Sequence, residues 1–132
     1  MPPAINFAPL ENAASALDYS SHRYEKAVAA AQGSLTADTA ALRSLNEKLR
    51  RSEPQLIDAA GLPDREWYRH LLYAPGLYTG YGVKTLPGVR EGIEQARYTE
   101  AEREAVRVSQ ALVRLAALLD SATSDLEKHA RK

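Results

Sequence analysis

The sequence predicts an all-α fold: a four-helix bundle with a short extra helix and a long ordered Tyr/Gly loop between the third and fourth elements. Apolar residues recur at spacings of three and four over most of the 132 residues, which is typical of amphipathic helices. The alternating patterns that indicate strands are almost absent. The length predicts one domain, residues 1–132, that is large enough to bury its own core.

Two helices are predicted in the first half of the chain. The first covers 9–32, and Gly33 is expected to cap its C-terminus. The second covers 36–52 with Thr36 as N-cap, because its hydroxyl can accept a bond from a free backbone N–H. Pro54 cannot continue that helix. The short connection predicts that the two helices are antiparallel.

The middle of the chain is less regular. Residues 54–63 are too apolar for a free linker and are expected to pack onto the bundle. Asp64 is predicted to cap the short extra helix over 65–71. The Tyr/Gly loop follows, and Pro87 suits the first turn of a helix over 87–96.

The last helix is predicted over 99–129. Thr99 and Glu102 have the spacing of a capping box. Over three heptads, apolar residues form a seam typical of helix packing; the seam consists of Ala105, Val108, Leu112, Leu115, Leu119, Ala122 and Leu126. Within this seam, Leu112, Leu115 and Leu119 are expected to serve the core or a dimer contact. A helix of this length, about 45 Å, can also leave apolar surface for a second subunit.

Composition excludes several classes of function. Seventeen basic residues balance seventeen acidic ones, so a general nucleic-acid surface is not expected. No apolar run approaches the roughly 20 residues that span a bilayer, so membrane insertion is not expected. The absence of cysteine excludes disulfides, cysteine nucleophiles and thiolate metal sites. The first residues do not resemble a signal peptide, which leaves two locations open: the cytosol, or part of a longer exported protein.

The three histidines show no spacing typical of a metal site. His22 and His129 are expected on helix surfaces. His70 borders the Tyr/Gly loop and is the histidine that we treat as a candidate functional residue.

The loop itself has more than one interpretation. Its glycines faintly resemble a phosphate-binding loop, but Val83 separates Gly82 from Lys84, whereas that motif needs the Gly and Lys adjacent. A nucleotide site is therefore not favoured. The loop tyrosines can either cover the end of the bundle or bind a ligand, and the residues alone leave both possibilities open.

The residues around the loop carry a resemblance to a known family. The segment WYRHLLYAP at 67–75, then Tyr81, then LPGV at 86–89 resembles the C-terminal dimerisation domain of the transferrin receptor and glutamate carboxypeptidase II family. The order of the helices matches too, so the resemblance covers nearly the whole chain. It implies a helical domain that follows a two-zinc peptidase domain and an inserted apical domain, builds a homodimer and contributes its loop to the substrate pocket.

The resemblance also implies site residues. By position, His70 and Tyr81 match pocket residues of the family, and Tyr78, Thr79 and Gly80 fall in the same wall. The carboxypeptidase pattern has Asn-Lys directly before the tyrosine, where this sequence has Thr79 and Gly80. The resemblance implies a glutamate carboxypeptidase-like exopeptidase as the parent enzyme, and this departure from the pattern favours an aminopeptidase or a broader exopeptidase over a glutamate-selective one.

Partners and cofactors follow from the same resemblance. The expected partners are a second copy of the chain, the peptidase and apical domains of the parent, and a peptide substrate through the loop. The two zinc ions are expected in the peptidase domain, with no catalytic residue, metal or other cofactor in this chain. The chain alone is then expected to lack peptidase activity. A free-standing helical adaptor that binds another protein is the alternative.

Overall fold

The computed structural model describes residues 1–78 and 82–131. Within these residues the chain forms four α-helices, one 3₁₀ turn and one small sheet. In chain order the elements are α1 (Ala8–Ala37), α2 (Thr39–Leu49), the 3₁₀ turn (Glu53–Leu56), β1 (Tyr73–Pro75), β2 (Val83–Thr85), α3 (Pro87–Glu94) and α4 (Tyr98–Ala130). The prediction of a mostly helical chain is confirmed, whereas the antiparallel sheet of β1 and β2 was not predicted.

The two long helices α1 and α4 lie side by side and parallel. Near their N-terminal ends, the backbone N–H of Asn6 donates to Glu102 Oε1 at 2.9 Å. Near their C-terminal ends, His129 Nδ1 lies 3.8 Å from Asp38 Oδ2. The first and last helices of the chain therefore pair along their whole length.

The segment that connects α1 to α4, beginning with α2, lies along α4 in the antiparallel direction. Lys48, at the end of α2, donates to Ser121 Oγ at 2.8 Å. Ten residues later, Asp58 Oδ2 lies 3.0 Å from Arg107 Nη2. The partner positions on α4 decrease as the chain advances, so α2 is antiparallel to both α4 and α1, as the short connection predicted.

Among the residues that the structure describes, the core consists of two hydrophobic clusters. The first unites α1, the 3₁₀ turn, the middle segment, β1, α3 and the first half of α4; its buried members are Ala13, Leu56, Leu62, Leu71, Ala74, Val89, Ala105, Val108, Ala111 and Leu112. The second unites the far ends of α1, α2 and α4; its buried members are Ala27, Ala31, Leu35, Leu45, Ala122 and Leu126. Six of the seven predicted seam residues of the last helix thus belong to these clusters or pack against them, and Leu119 is partly buried.

Two predicted caps in the first half are wrong. Helix α1 continues through Gly33 to Ala37, and the hydroxyl of Thr36 donates to the carbonyl of Gly33 at 3.0 Å. The N-cap of α2 is Asp38, whose Oδ1 accepts from the N–H of Ala41 at 3.0 Å. A single interior glycine costs a helix only about 1 kcal/mol, and an aspartate caps as well as a threonine, so residue type alone does not place this boundary.

The short extra helix predicted over 65–71 does not form. Asp64 has a left-handed backbone with φ of 63°, and the segment folds into turns with isolated bridges between Leu62 and Arg65 and between Ile57 and His70. Leu62 and Leu71 are nevertheless buried, so the segment packs onto the bundle without being helical.

The predicted capping box of the last helix is also wrong. Helix α4 begins at Tyr98, and its N-cap residue Arg97 makes no side-chain capping bond. Thr99 lies inside the helix, and Glu102 accepts the bond from Asn6 instead. The Glu102 carboxylate therefore contacts the start of α1 instead of forming the predicted capping box.

Candidate functional site

The Tyr/Gly loop is the tip of a β-hairpin. Strands β1 and β2 are antiparallel with Ala74 opposite Lys84, and the N–H of Gly76 donates to the carbonyl of Gly82 at 3.0 Å. We call residues 77–81, which this bond encloses, the tip. Tyr78 in the tip is 82% exposed, while the predicted pocket residues Thr79, Gly80 and Tyr81 lie outside the residues that the structure describes.

A buried ion pair fixes the start of the tip. Arg65 Nη2 lies 2.7 Å from Glu91 Oε2, and the two side chains are only 5% and 7% exposed. Glu91 Oε1 accepts from the N–H of Leu77 at 2.9 Å, and Arg65 Nη1 donates to the carbonyl of Pro75. The same two side chains thus neutralise each other and bind the backbone on both sides of Gly76. The direction in which the tip leaves the bundle is set by this pair.

The second strand is bound to α3. Lys84 Nζ donates to Glu94 Oε2, and Arg90 Nε donates to Glu94 Oε1 at 3.1 Å. These bonds, that of Lys84 first, lower the pKa of the Glu94 carboxyl below its ordinary value. Both strands of the hairpin therefore connect to α3, one through a buried pair and one through an exposed pair.

His70 lies beside the first strand in a defined tautomer. Its Nδ1 accepts from the N–H of Leu72 at 3.2 Å, so Nδ1 carries no proton. Nε2 then carries the hydrogen and donates to Glu53 Oε1 at 2.9 Å. The hydroxyl of Tyr73 donates to the same oxygen at 2.9 Å, and the rings of His70 and Tyr73 stack with centroids 4.0 Å apart. Both ring nitrogens of His70 are thus engaged within the chain.

The hydrogen bonds of this cluster shift two pKa values in opposite directions. The hydroxyl of Tyr73, followed by the ring N–H of His70, lowers the pKa of the Glu53 carboxyl because both stabilise its charged form. The Glu53 carboxylate in turn raises the pKa of Tyr73, since the phenol loses its bond on ionisation and would face a negative charge. Sequence reasoning did not select Glu53, which lies 17 residues before His70 and matches no motif spacing.

Two of the three predicted core or dimer residues of α4 pack in the first core cluster. Leu112 is 8% exposed and belongs to the first core cluster. Leu115 is partly buried and packs against that cluster, and Leu119 is also partly buried. Leu112 and Leu115 therefore contribute to the packing of the bundle.

Metal-binding clusters and membrane-spanning helices are both absent from the described part of the chain. Within residues 1–78 and 82–131, no three His, Asp or Glu side chains group in a way that could hold a metal ion. No helix in these same ranges combines the length and apolarity needed to cross a membrane.

Within the described residues, the fold and the loop define a helical domain that presents a hairpin tip from a buried base. The chain belongs to the transferrin receptor-like dimerisation domain family, whose model matches residues 5–120. The resemblance read from the loop residues is thereby confirmed.

Individual relatives agree with the family match. "Probable glutamate carboxypeptidase" of Arthroderma benhamiae is 34% identical over 119 residues, which are 90% of this chain and 16% of the relative. "Probable glutamate carboxypeptidase LAMP1" of Arabidopsis thaliana is 45% identical over 56 residues, 42% of this chain and 8% of the relative. "Inactive zinc metalloprotease C354.09c" of Schizosaccharomyces pombe is 36% identical over 73 residues, 55% of this chain and 9% of the relative. The chain spans only a small part of the length of each of these proteins.

Proposed function

We propose that this chain is the helical domain that builds the homodimer of a two-zinc exopeptidase and completes its substrate pocket, without peptidase activity of its own. The observation that carries the proposal is the family match, which covers residues 5–120 and is described as a dimerisation domain. The relatives named as carboxypeptidase or metalloprotease support a metallopeptidase parent.

The geometry of the hairpin supports the pocket half of the proposal. A buried ion pair is costly to desolvate, and here Arg65 and Glu91 bind the backbone at the foot of the tip. Tyr78 is almost fully exposed, and a tyrosine offers both an apolar ring and a hydroxyl to a ligand. In the proposal, the tip residues Tyr78, Thr79, Gly80 and Tyr81 form one wall of a pocket whose zinc ions belong to the peptidase domain.

His70 has a supporting place in this proposal. Its Nε2 donates to Glu53, and its ring stacks on Tyr73 at the start of β1. Because both of its ring nitrogens are engaged, His70 orders the residues at the base of the pocket wall. The tyrosines of the tip then contact the peptide.

Substrate selectivity follows from the residues before Tyr81. An ammonium at the position of Gly80 would attract a substrate carboxylate, and glycine carries none. We propose that the parent accepts peptides without a strong preference for a C-terminal glutamate.

This selectivity is tested in the full-length protein. Gly80→Lys should raise kcat/KM for C-terminal glutamate relative to C-terminal leucine about tenfold or more, since a hydrogen bond to a charged group is worth about 1.5–3 kcal/mol. Gly80→Met is the matched control, because it adds bulk without charge. A strong glutamate preference in the unsubstituted protein would contradict the proposal.

The assembly half is tested with the 14.5 kDa chain. Light scattering over a dilution series should show dimer mass at high concentration. Peptidase assays with added zinc should show activity in the full-length protein and none in the isolated chain. A gene that encodes no peptidase domain upstream would overturn the proposal and favour the helical adaptor.

A further inference from the structure

Helix α4 carries an exposed, uncharged stripe on one side. Its members recur at spacings of three and four, which places them on one face, and all six are exposed. We call this face the outer stripe; it consists of Val106, Gln110, Val113, Ala117, Ser121 and Ser124. From Val106 to Ser124 it is about 27 Å long, at 1.5 Å per residue.

Several charged side chains on this part of α4 are paired within the chain, beside the outer stripe. Arg107 Nη1 lies 2.8 Å from Glu104 Oε2. Further along the helix, Asp120 lies 3.6 Å from Arg23 of α1, and Asp125 binds Lys48 of α2. These pairs turn the charges of Arg107 and Asp120 towards the bundle, whereas Lys48, which binds Asp125, also donates to Ser121 at 2.8 Å, so one ammonium borders the C-terminal end of the outer stripe.

The first half of the outer stripe borders a shallow apolar depression. Pro9 at the start of α1 lines it together with Val106 and Val113, which are 38% and 53% exposed. Arg114 also lines the depression, and its Nη2 donates to the carbonyl of Gln55 at 2.9 Å. A depression beside a row of side chains is a shape into which the side chains of another helix can pack.

We propose that the outer stripe is the surface on which a second copy of this chain packs in the dimer. In a two-fold dimer the same surface of both copies is in contact. A charged stripe would therefore face like charges and be repelled, whereas an uncharged stripe avoids this repulsion. The three-and-four spacing is that of packed helices. The inference rests on the proposed dimerisation and deepens it by naming the contact face.

The size of the outer stripe sets the strength of the contact. A face about 27 Å long and about 10 Å wide covers roughly 270 Å², whereas a standard interface buries about 800 Å² per partner. The isolated chain is therefore a weak dimer, and the remaining contact area belongs to the other domains of the parent.

Disulfide trapping tests the face directly, because the chain contains no cysteine. With one introduced thiol per chain, a disulfide can form only between the same position in two copies. A disulfide needs the two Cα atoms within about 4.4–6.8 Å, so only positions near the two-fold axis react quickly. Gln110→Cys, Val113→Cys and Ala117→Cys are compared with Ser15→Cys and Ala30→Cys, which are exposed on α1. Circular dichroism confirms that each variant is folded.

At least one position of the outer stripe should form oxidised dimer at least tenfold faster than both α1 controls. Rates no greater than those of the controls would overturn the assignment of this face. If light scattering still shows dimer mass in that case, the proposed dimerisation stands and another face mediates it. Monomer mass at every concentration would instead contradict the assembly half of the proposed function for the isolated chain.

A charge variant provides a second, independent readout. Val113→Glu places two like charges at the contact and should raise the dimer Kd at least tenfold, whereas Ser15→Glu should leave it unchanged. An unchanged Kd in a folded Val113→Glu chain would also overturn the assignment.

Discussion

Arg65 and Glu91 form a buried ion pair, 2.7 Å between Nη2 and Oε2, that connects an irregular turn to α3 across 26 residues of sequence. Because both side chains also bind the backbone at the foot of the tip, the pair combines two roles. It neutralises two buried charges, and it fixes where the hairpin tip begins. These roles can be separated by mutation.

Removing one partner of this pair should destabilise the protein strongly. Glu91→Gln leaves the Arg65 guanidinium buried without a counter-charge, which costs about 3–5 kcal/mol in the free energy of unfolding measured by urea denaturation. The double variant Arg65→Met/Glu91→Met removes both charges and should recover most of that loss. In the double variant, the N–H of Leu77 loses its acceptor, so its hydrogen exchange should remain faster than in the wild type. Full protection of Leu77 in the double variant would show that the pair does not order the tip.

Two glycines should respond oppositely to alanine. A Cβ at Gly88 would lie 2.7 Å from Glu104 Oε2, and that carboxylate cannot move freely because Arg107 binds both of its oxygens. Gly88→Ala should therefore lower the free energy of unfolding by about 1–3 kcal/mol. At Gly33, inside α1, an added Cβ would have no neighbouring atom within 4 Å, so Gly33→Ala should raise stability by up to about 1 kcal/mol. Urea midpoints of the two variants that shift in the same direction would contradict this account.

The cap of α2 is tested by comparing two neighbouring residues. Asp38→Ala removes the acceptor of the Ala41 N–H and should lower the free energy of unfolding by about 1 kcal/mol. Thr36→Ala is the matched control, because Thr36 bonds only carbonyls of its own helix, and its effect should stay within about 0.5 kcal/mol. If Thr36→Ala lowered the free energy of unfolding more than Asp38→Ala in urea denaturation, Thr36 rather than Asp38 would be the N-cap.

The cluster at His70 should be visible in the titration of Tyr73. Glu53 raises the pKa of this phenol above its ordinary value of 10.0, so Glu53→Gln, which removes the negative charge, should move that pKa down towards 10.0. Carbon-13 NMR of labelled tyrosine measures the shift, and Glu47→Gln, on the exposed side of α2, is the control.

The same cluster has a defined pH window. The pKa of Glu53 is lowered by folding, so its contribution to stability is complete above its ordinary value of 4.5 and is lost as the pH falls through the lowered value. The raised pKa of Tyr73 acts at the other end of the pH range. The contribution of Tyr73 to stability is complete below pH 10.0 and is lost as the pH rises through the raised value. Both contributions are therefore complete between pH 4.5 and pH 10.0, and the stacked arrangement should loosen only as the pH falls through the lowered pKa of Glu53 or rises through the raised pKa of Tyr73.

The elements that sequence predicted well are those whose signal is local and repeated. The seam from Ala105 to Leu126 repeats over three heptads, and six of its seven residues belong to the core clusters or pack against them. The loop residues from Trp67 to Pro75 carry the family resemblance because they form one contiguous motif. In contrast, β1 and β2 have three residues each, which is too short for an alternating pattern to be recognised.

The errors have a common physical cause, which is competition from distant partners. Arg65 leaves the predicted short helix to bind Glu91, and Glu102 leaves the predicted capping box to bind the N–H of Asn6, 96 residues away. The ion pair at the foot of the tip and the Glu53 cluster involve separations of 26 and 17 residues. No periodicity or motif in a single sequence indicates such pairings.

The parallel pairing of α1 and α4 has a consequence for how the chain acquires its structure. The buried alanines of α1, Ala13, Ala27 and Ala31, share their clusters with residues of α4, which is synthesised after α1, α2 and α3. Until α4 emerges from the ribosome, the apolar side of α1 lacks its main cover. Contacts between the two ends of a chain slow folding, because a long loop must close before they form. Nascent chains that stop before α4 should therefore expose apolar surface and depend on chaperones, although most of their helical sequence is already complete.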